Sequence, residues 1–180
     1  MENSVAARIV FYMVSILLGA CALLPPQTAE QQRLSIRAKN AQLNLTQTLS
    51  IPAGQDRIFM QEGKVLGSKK INLLKPHCEL HLKTKEDQQS QLNPENFNII
   101  HVTTLEEDFG ANFTSGTLSG ASSMLYSTRM ELNSVNQTAV FRFMCNKLEE
   151  SNRQGHVTFE EFRHAVGPLL VLETKNHQIP

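Results

Sequence analysis

Three side chains able to bind a metal ion or to transfer a proton alternate along residues 77–81, namely His77, Glu79 and His81. This spacing places them on one face of a β-strand. Imidazole and carboxylate groups are zinc ligands, but three such positions span about 13 Å along a strand. That is too far for all three to reach one ion. We therefore predict a solvated polar face here and no metal site.

The residues between them carry a second type of chemistry. Cys78, Leu80 and Leu82 share the opposite, apolar face of the same strand. A second alternating run ends at Cys145 and has the following residues on one face: Ala139, Phe141, Phe143 and Cys145. We expect Cys78 and Cys145 to form a disulfide between two strands, with two separate buried thiols as the alternative.

A candidate calcium loop occupies residues 150–161. Aligned on Gly155, the stretch resembles an EF-hand loop, with ligand positions at Glu150, Asn152, Gln154 and Glu161. Two of the four are amides, and Arg153 adds a positive charge. The same residues also predict a capped helix, because Thr158 and Glu161 have the spacing of a capping box. If a strand leads into residues 150–161, the capped helix is the better interpretation. If a helix leads into them, the calcium-binding loop is the better interpretation.

Catalytic groups do not converge in the sequence. His77 and Cys78 are adjacent, so in a strand their side chains point to opposite faces and cannot act as a pair. The stretch 116–120 lacks the central serine of a nucleophile elbow. We predict that the protein is not an enzyme and needs no cofactor.

The N-terminus predicts export. Arg8 precedes an apolar run over residues 9–18, and the sequence Leu-Gly-Ala-Cys then ends at Cys21. This resembles a bacterial lipobox, which predicts a lipid on Cys21 and a membrane anchor. Ordinary cleavage, giving a soluble periplasmic protein, and an uncleaved anchor are the alternatives. Export to an oxidising compartment agrees with the paired cysteines.

Composition excludes some partners and bounds the domain. Acidic and basic residues balance at 17 each, and the chain has no Trp and two Tyr. These features argue against nucleic acid as a partner, since nucleic-acid binders carry basic stripes and aromatic platforms. The predicted organisation is a signal peptide at 1–20, a lipidated cysteine and tether at 21–32, one β-rich domain at 33–173 and a tail at 174–180.

Alternating apolar residues predict an antiparallel sandwich or barrel-like domain with one short C-terminal helix. The pattern is strand-like from Leu34 onward, the stretches 83–95 and 105–123 are predicted connections, and the helix follows Thr158. The predicted strands lie within residues 43–51, 57–61, 64–66, 71–74, 77–82, 97–104, 125–133, 139–145 and 169–172.

An ordered set of short motifs is similar to a family of small exported or lipid-anchored proteins of Gram-negative bacteria that has no assigned activity. The motifs are Ile51-Pro-Ala-Gly54, Arg57-Ile-Phe59 with Gln61 and Gly63, Lys75-Pro-His-Cys78, Cys145, His156-Val-Thr158 and Val166-Gly167. The resemblance implies an envelope location and paired cysteines. We expect a non-catalytic binding or assembly module with an envelope protein as partner. The alternatives are a binder of a foreign hydrolase or a calcium-binding protein.

Overall fold

The computed structural model describes residues 32–85, 87–109, 123–150 and 155–174. Its strands in chain order are β1 (Ala41–Leu45), β2 (Leu49–Ile51), β3 (Arg57–Gln61), β4 (Lys64–Leu66), β5 (His77–Leu82), β6 (Ser90–Leu92), β7 (Glu95–Asp108), β8 (Ser123–Asn133), β9 (Val140–Glu150) and β10 (Leu170–Thr174). Its α-helices are α1 (Leu34–Ala38) and α2 (Phe159–Val166), and a 3-10 turn covers Ser68–Lys70.

Eight of these strands form one antiparallel sheet that curls into a half-barrel. The strand order is β10, β1, β7, β8, β9, β5, β3, β4, while β2 and β6 pair separately. The prediction of a mainly antiparallel β protein with one short C-terminal helix is therefore confirmed. The long strands β7, β8 and β9 form the centre of the sheet.

One face of the curled sheet packs on the helices. Helix α2 begins at the predicted capping box, in which Glu161 N donates to the Thr158 hydroxyl and Thr158 N donates to the Glu161 carboxylate. Its Phe162 is buried and meets Phe143 of β9 edge to face, with ring centroids 6.0 Å apart. This contact joins the helix to the middle of the sheet.

The predicted disulfide is present in this core. Cys78 of β5 lies directly opposite Cys145 of β9, with Cα atoms 4.0 Å apart, and both residues are buried. The bridge therefore joins two neighbouring strands within one sheet. Leu80, next along the same face of β5, is opposite Phe143 and is also buried.

Several predicted boundaries are wrong, and the predicted strand at 43–51 is two separate strands, β1 and β2. Residues 34–38 form a helix, because Leu34 and Ala38 are four apart and both face the core. The connection 83–95 contains β6, and β7 runs on to Asp108 where a loop was predicted from residue 105. The central part of that predicted loop, residues 110–122, lies outside the described residues.

The predicted strand at 71–74 is also wrong, and a buried side chain provides the reason. Gln61 donates to the Asn72 carbonyl at 2.8 Å and accepts from the Asn72 amide at 3.0 Å. The side-chain amide thus replaces the backbone partner that a neighbouring strand would supply. It leaves Leu73 and Leu74 in an irregular segment with partly exposed side chains.

A close approach of two glycines places the end of α2 against the turn between β3 and β4. Gly167 has φ +55°, and a Cβ there would lie 2.6 Å from Gly63 Cα. We predict that Gly167→Ala lowers the free energy of unfolding by about 2 kcal/mol or more, from backbone strain and the clash together. Urea unfolding measures the loss.

Gly54→Ala is the matched control, since Gly54 has φ +75° but nothing within 4 Å of a Cβ. Gly54→Ala should lower the free energy of unfolding by the cost of backbone strain alone. Equal losses in the two variants would mean that the contact between Gly63 and Gly167 contributes nothing.

Candidate ligand-binding site on the second face of the sheet

A row of side chains crosses four strands on the face opposite the disulfide. His77 of β5 is opposite Asn146 of β9, Asn146 is opposite Ser127 of β8, and Ser127 is opposite Leu105 of β7. Glu79 stands one step further along β5, opposite Met144. Antiparallel pairing thus brings together polar groups that are far apart in the sequence.

These polar groups are buried. His77 is 3% exposed, Glu79 6% and His81 9%. The prediction of a solvated polar face is therefore wrong, although the prediction that the three share a face agrees with the strand. Alternation along a strand tells which residues share a face, but not whether other elements cover that face. Here side chains of four neighbouring strands, together with Leu73 and Phe109, line a cavity over it.

A chain of hydrogen bonds links four of the buried side chains, including His77, whose Nε2 lies 3.4 Å from Asn146 Nδ2. The Ser127 hydroxyl donates to Asn146 Oδ1 at 2.8 Å, and Asn146 Nδ2 donates to Glu79 Oε1 at 3.0 Å. Arg57 Nη1 lies 3.5 Å from Glu79 Oε2. Each amide and hydroxyl group thereby has a partner, as burial requires.

Two histidines flank the Glu79 carboxylate. His81 Nε2 is 3.1 Å from Glu79 Oε2, and His77 Nε2 is 3.9 Å from Glu79 Oε1. The His81 contact has ion-pair distance but lacks hydrogen-bond alignment, so Nε2 has no hydrogen-bond partner among the described residues. His77 Nδ1 is 3.2 Å from the Lys75 carbonyl, which fixes the orientation of the ring.

A β-bulge adds an aromatic wall beside His81. The pairing of β5 with β9 shifts between His81 and Leu82, so Val140 rather than Phe141 faces the core. The Phe141 ring instead meets His81 edge to face at 6.3 Å. The prediction that Phe141 shares the core face with Phe143 is therefore wrong at this one position.

The environment of Glu79 keeps its carboxyl group ionised. Burial raises its pKa, but the contacts with His81, Arg57 and His77 lower it, and the net shift is below the usual 4.5. A negative charge thus stands at the base of this face at neutral pH.

No metal site is formed by the described part of the chain, since no three His, Cys, Asp or Glu side chains there are placed to hold one ion. Of the candidate calcium ligands, Asn152 and Gln154 lie outside the described residues, as does the side chain of Glu150. Glu161 is engaged by Thr158 and by Lys147, whose Nζ is 2.8 Å away. Strand β9 continues to Glu150, whereas a helix enters an EF-hand loop.

A cavity of about 180 Å³ opens beside the polar row. It has polar groups at its base and an apolar wall. The base is His77, Glu79, Ser127 and Asn146, and the wall is Leu73, Leu105, Phe109, Leu125, Met144 and Leu148, with Glu107 completing the lining. Apolar walls around a few buried polar groups are typical of ligand sites.

A larger groove of about 760 Å³ lies between α2 and β10. Its charged side chains face water, since Glu160 is 84% exposed and Arg163 66%. Exposed charges bind and orient a ligand weakly because solvent screens them. We therefore place the candidate site at the smaller cavity, which we call the second-face cavity.

Ser127 and Asn146 were missed by sequence reasoning. No motif surrounds either residue, and both reach the site only through the pairing of β8 with β9 and of β9 with β5. The one signal that could identify them is that each lies opposite a polar residue on the neighbouring strand. That signal can be read only when the strand register is known.

Comparisons of the chain with protein-family models, curated proteins and solved structures found no match. The N-terminal features, including Cys21 and the predicted signal peptide, lie outside the described residues. Within the described ranges, no helix has both the length and the apolar character needed to cross a membrane.

Proposed function

We propose that this protein is a non-catalytic binding module of a bacterial cell envelope, anchored by a lipid on Cys21. The observation that carries the proposal is the second-face cavity, with its apolar wall and its base of buried, hydrogen-bonded polar groups. Such a base gives orientation and specificity to a bound group, while the wall supplies most of the binding free energy.

The hydrogen bonding at the base supports binding over catalysis. The Ser127 hydroxyl donates to an amide oxygen of Asn146, which cannot accept its proton as a general base. The nearest histidine in the row, His77, directs Nδ1 to a backbone carbonyl. In this arrangement no hydroxyl of the base is activated as a nucleophile.

The size of the cavity supports a protein partner. At about 180 Å³ it is below the range of about 300–1,000 Å³ that holds drug-sized ligands. It exceeds a cavity of about 150 Å³, which is large enough for benzene. One side chain of a partner fits this size, in the manner of an anchor residue at the centre of a protein interface.

The envelope location is supported by the lipobox-like sequence at Cys21 and by the buried disulfide, since disulfides persist in oxidising compartments. We expect Cys21→Ser to lose the lipid mass that the wild-type N-terminus carries in the membrane fraction. Fractionation followed by mass measurement of the N-terminus tests this. A wild-type N-terminus that carries no added lipid mass would contradict lipidation.

The binding role is tested with two neighbouring leucines. Leu73 lines the second-face cavity and Leu74 does not, and both are more than one third exposed. In a quantitative pull-down from solubilised envelopes, Leu73→Ser should weaken capture of the partner about tenfold, because it removes apolar contact. Leu74→Ser should capture as the wild type does.

Equal capture by the two variants would exclude the cavity as the binding site. Thermal unfolding of both variants is the control for folding, and similar melting temperatures are expected because both side chains are partly in water already.

A further inference from the structure

We propose that the second-face cavity binds a cationic side chain with an aliphatic stem, a lysine or arginine presented by the protein partner. This inference rests on the proposed function, because it names the chemistry of the group that the cavity takes. The main evidence is that the apolar wall leads to a buried carboxylate at the base, Glu79, and that a second carboxylate, Glu107, lies at the rim.

The wall suits the stem of such a side chain. Leu105, Leu125 and Leu148 come from three adjacent strands and face the same space. Lysine and arginine bury their methylene groups along apolar surface while the charged end reaches a polar group. An apolar side chain without charge would bury the Glu79 carboxylate further and gain no partner for it.

The charges that line the cavity are of one sign, while Arg57 contacts Glu79 Oε2 at 3.5 Å from outside the lining. Glu79 lies at the base and Glu107 at the rim, while none of the described lining residues is a lysine or an arginine. Glu107 has no ion-pair partner among the described residues, so its charge is available to a ligand. Two carboxylates around an apolar space attract a cation and repel an anion.

Glu79 retains room for another donor. A carboxylate has about four lone-pair positions, and hydrogen bonds occupy one on Oε1, from Asn146, and one on Oε2, from Arg57. His77 lies at 3.9 Å from Oε1, beyond hydrogen-bond distance. An ammonium or guanidinium group entering from the cavity can therefore reach Oε1 without displacing Asn146.

The test uses three probes of similar length and different charge: n-butylammonium, n-butanol and pentanoate. The first is the lysine side chain cut at Cβ. Titrations of the isotope-labelled protein, followed by NMR, give the dissociation constant and the location of each probe. We expect n-butylammonium to bind about fivefold more tightly than n-butanol, as a partly exposed ion pair allows. Pentanoate should bind least, and the shifts should centre on Ser127 and Asn146.

Two adjacent glutamates supply the matched variants. Glu107 lines the second-face cavity, whereas Glu106 lines a different cavity beside His156. Glu107→Gln should weaken n-butylammonium binding about threefold and leave n-butanol unchanged. Glu106→Gln should leave both probes unchanged.

The outcomes separate this inference from the proposed function. Equal binding of n-butanol and n-butylammonium at the cavity would overturn the cationic preference while the binding role stands. Tighter binding of pentanoate would overturn it as well. If no probe shifts the cavity residues and the Leu73→Ser and Leu74→Ser variants capture equally, the inference and the proposed function both fail.

Discussion

Removal of the Cys78–Cys145 disulfide should lower the free energy of unfolding by about 4 kcal/mol. The two cysteines are 67 residues apart, and a link of this length restricts the unfolded chain by about 4 kcal/mol in the chain-entropy account. That is a large share of the stability of a typical domain, about 5–15 kcal/mol. Replacement of both cysteines by alanine, followed by urea unfolding, measures the effect.

Reduced wild-type protein is the control for this experiment. It keeps both buried side chains, so its loss reports the link alone, while the double alanine variant adds a small loss of packing. The two losses should agree to within about 1–2 kcal/mol. A change of less than about 1 kcal/mol on reduction would show that the unfolded chain gains little freedom when the link is broken.

Replacement of Glu79 by alanine should cost about 3 kcal/mol, because it removes one member of a buried charged cluster and leaves the others without compensation. Asn146 loses its acceptor, and His81 and Arg57 lose the carboxylate that they approach. Glu79→Gln keeps a side-chain oxygen and should cost less. Denaturant unfolding of both variants at neutral pH gives the two values.

The same glutamate should make stability depend on pH in a defined direction. The pKa of Glu79 is lowered in the folded protein from its usual 4.5, so its ionised form favours folding. That contribution is complete above pH 4.5 and is lost as the pH falls through the lower folded pKa. The difference in stability between wild type and Glu79→Gln should therefore shrink as the pH falls below 4.5 toward the lower folded pKa.

Glu62→Gln is the control for the pH experiment. The pKa of Glu62 is also lowered, by a hydrogen bond and an ion pair with Lys75, but the pair is solvent exposed. Solvent screens such a pair, so its removal should change stability little at any pH. If Glu62→Gln and Glu79→Gln lose the same stability at each pH, burial of the second face has no energetic consequence.

The fold was largely predictable because its signals are local. Alternation along residues 77–82 and 125–133, and the capping box at Thr158, depend on near neighbours in sequence and were read correctly. The failures came where distant contacts decide. Residues 71–74 have strand composition, but the backbone amide and carbonyl of Asn72 are taken by the side chain of Gln61.

The candidate site was only half predictable, for a related reason. The pairing of Ser127 with Asn146 could not be predicted from local patterns, because strand register depends on the whole sheet. Alternation predicts that His77 and Glu79 share a face, but it is the same for a solvent-exposed face and a buried one, so it does not predict their burial. The disulfide was predictable because Cys78 and Cys145 are the two cysteines outside the N-terminal segment.

The most direct test of the account is the NMR signal of the Asn146 side-chain amide during titration with the purified partner captured from envelopes. Asn146 is buried at the base of the second-face cavity and bonds both Ser127 and Glu79. We predict that its signal shifts on binding, together with the backbone amides of β5 and β9 around it. Shifts confined to the groove between α2 and β10, with the Asn146 signal unchanged, would contradict the assignment of the second-face cavity as the binding site.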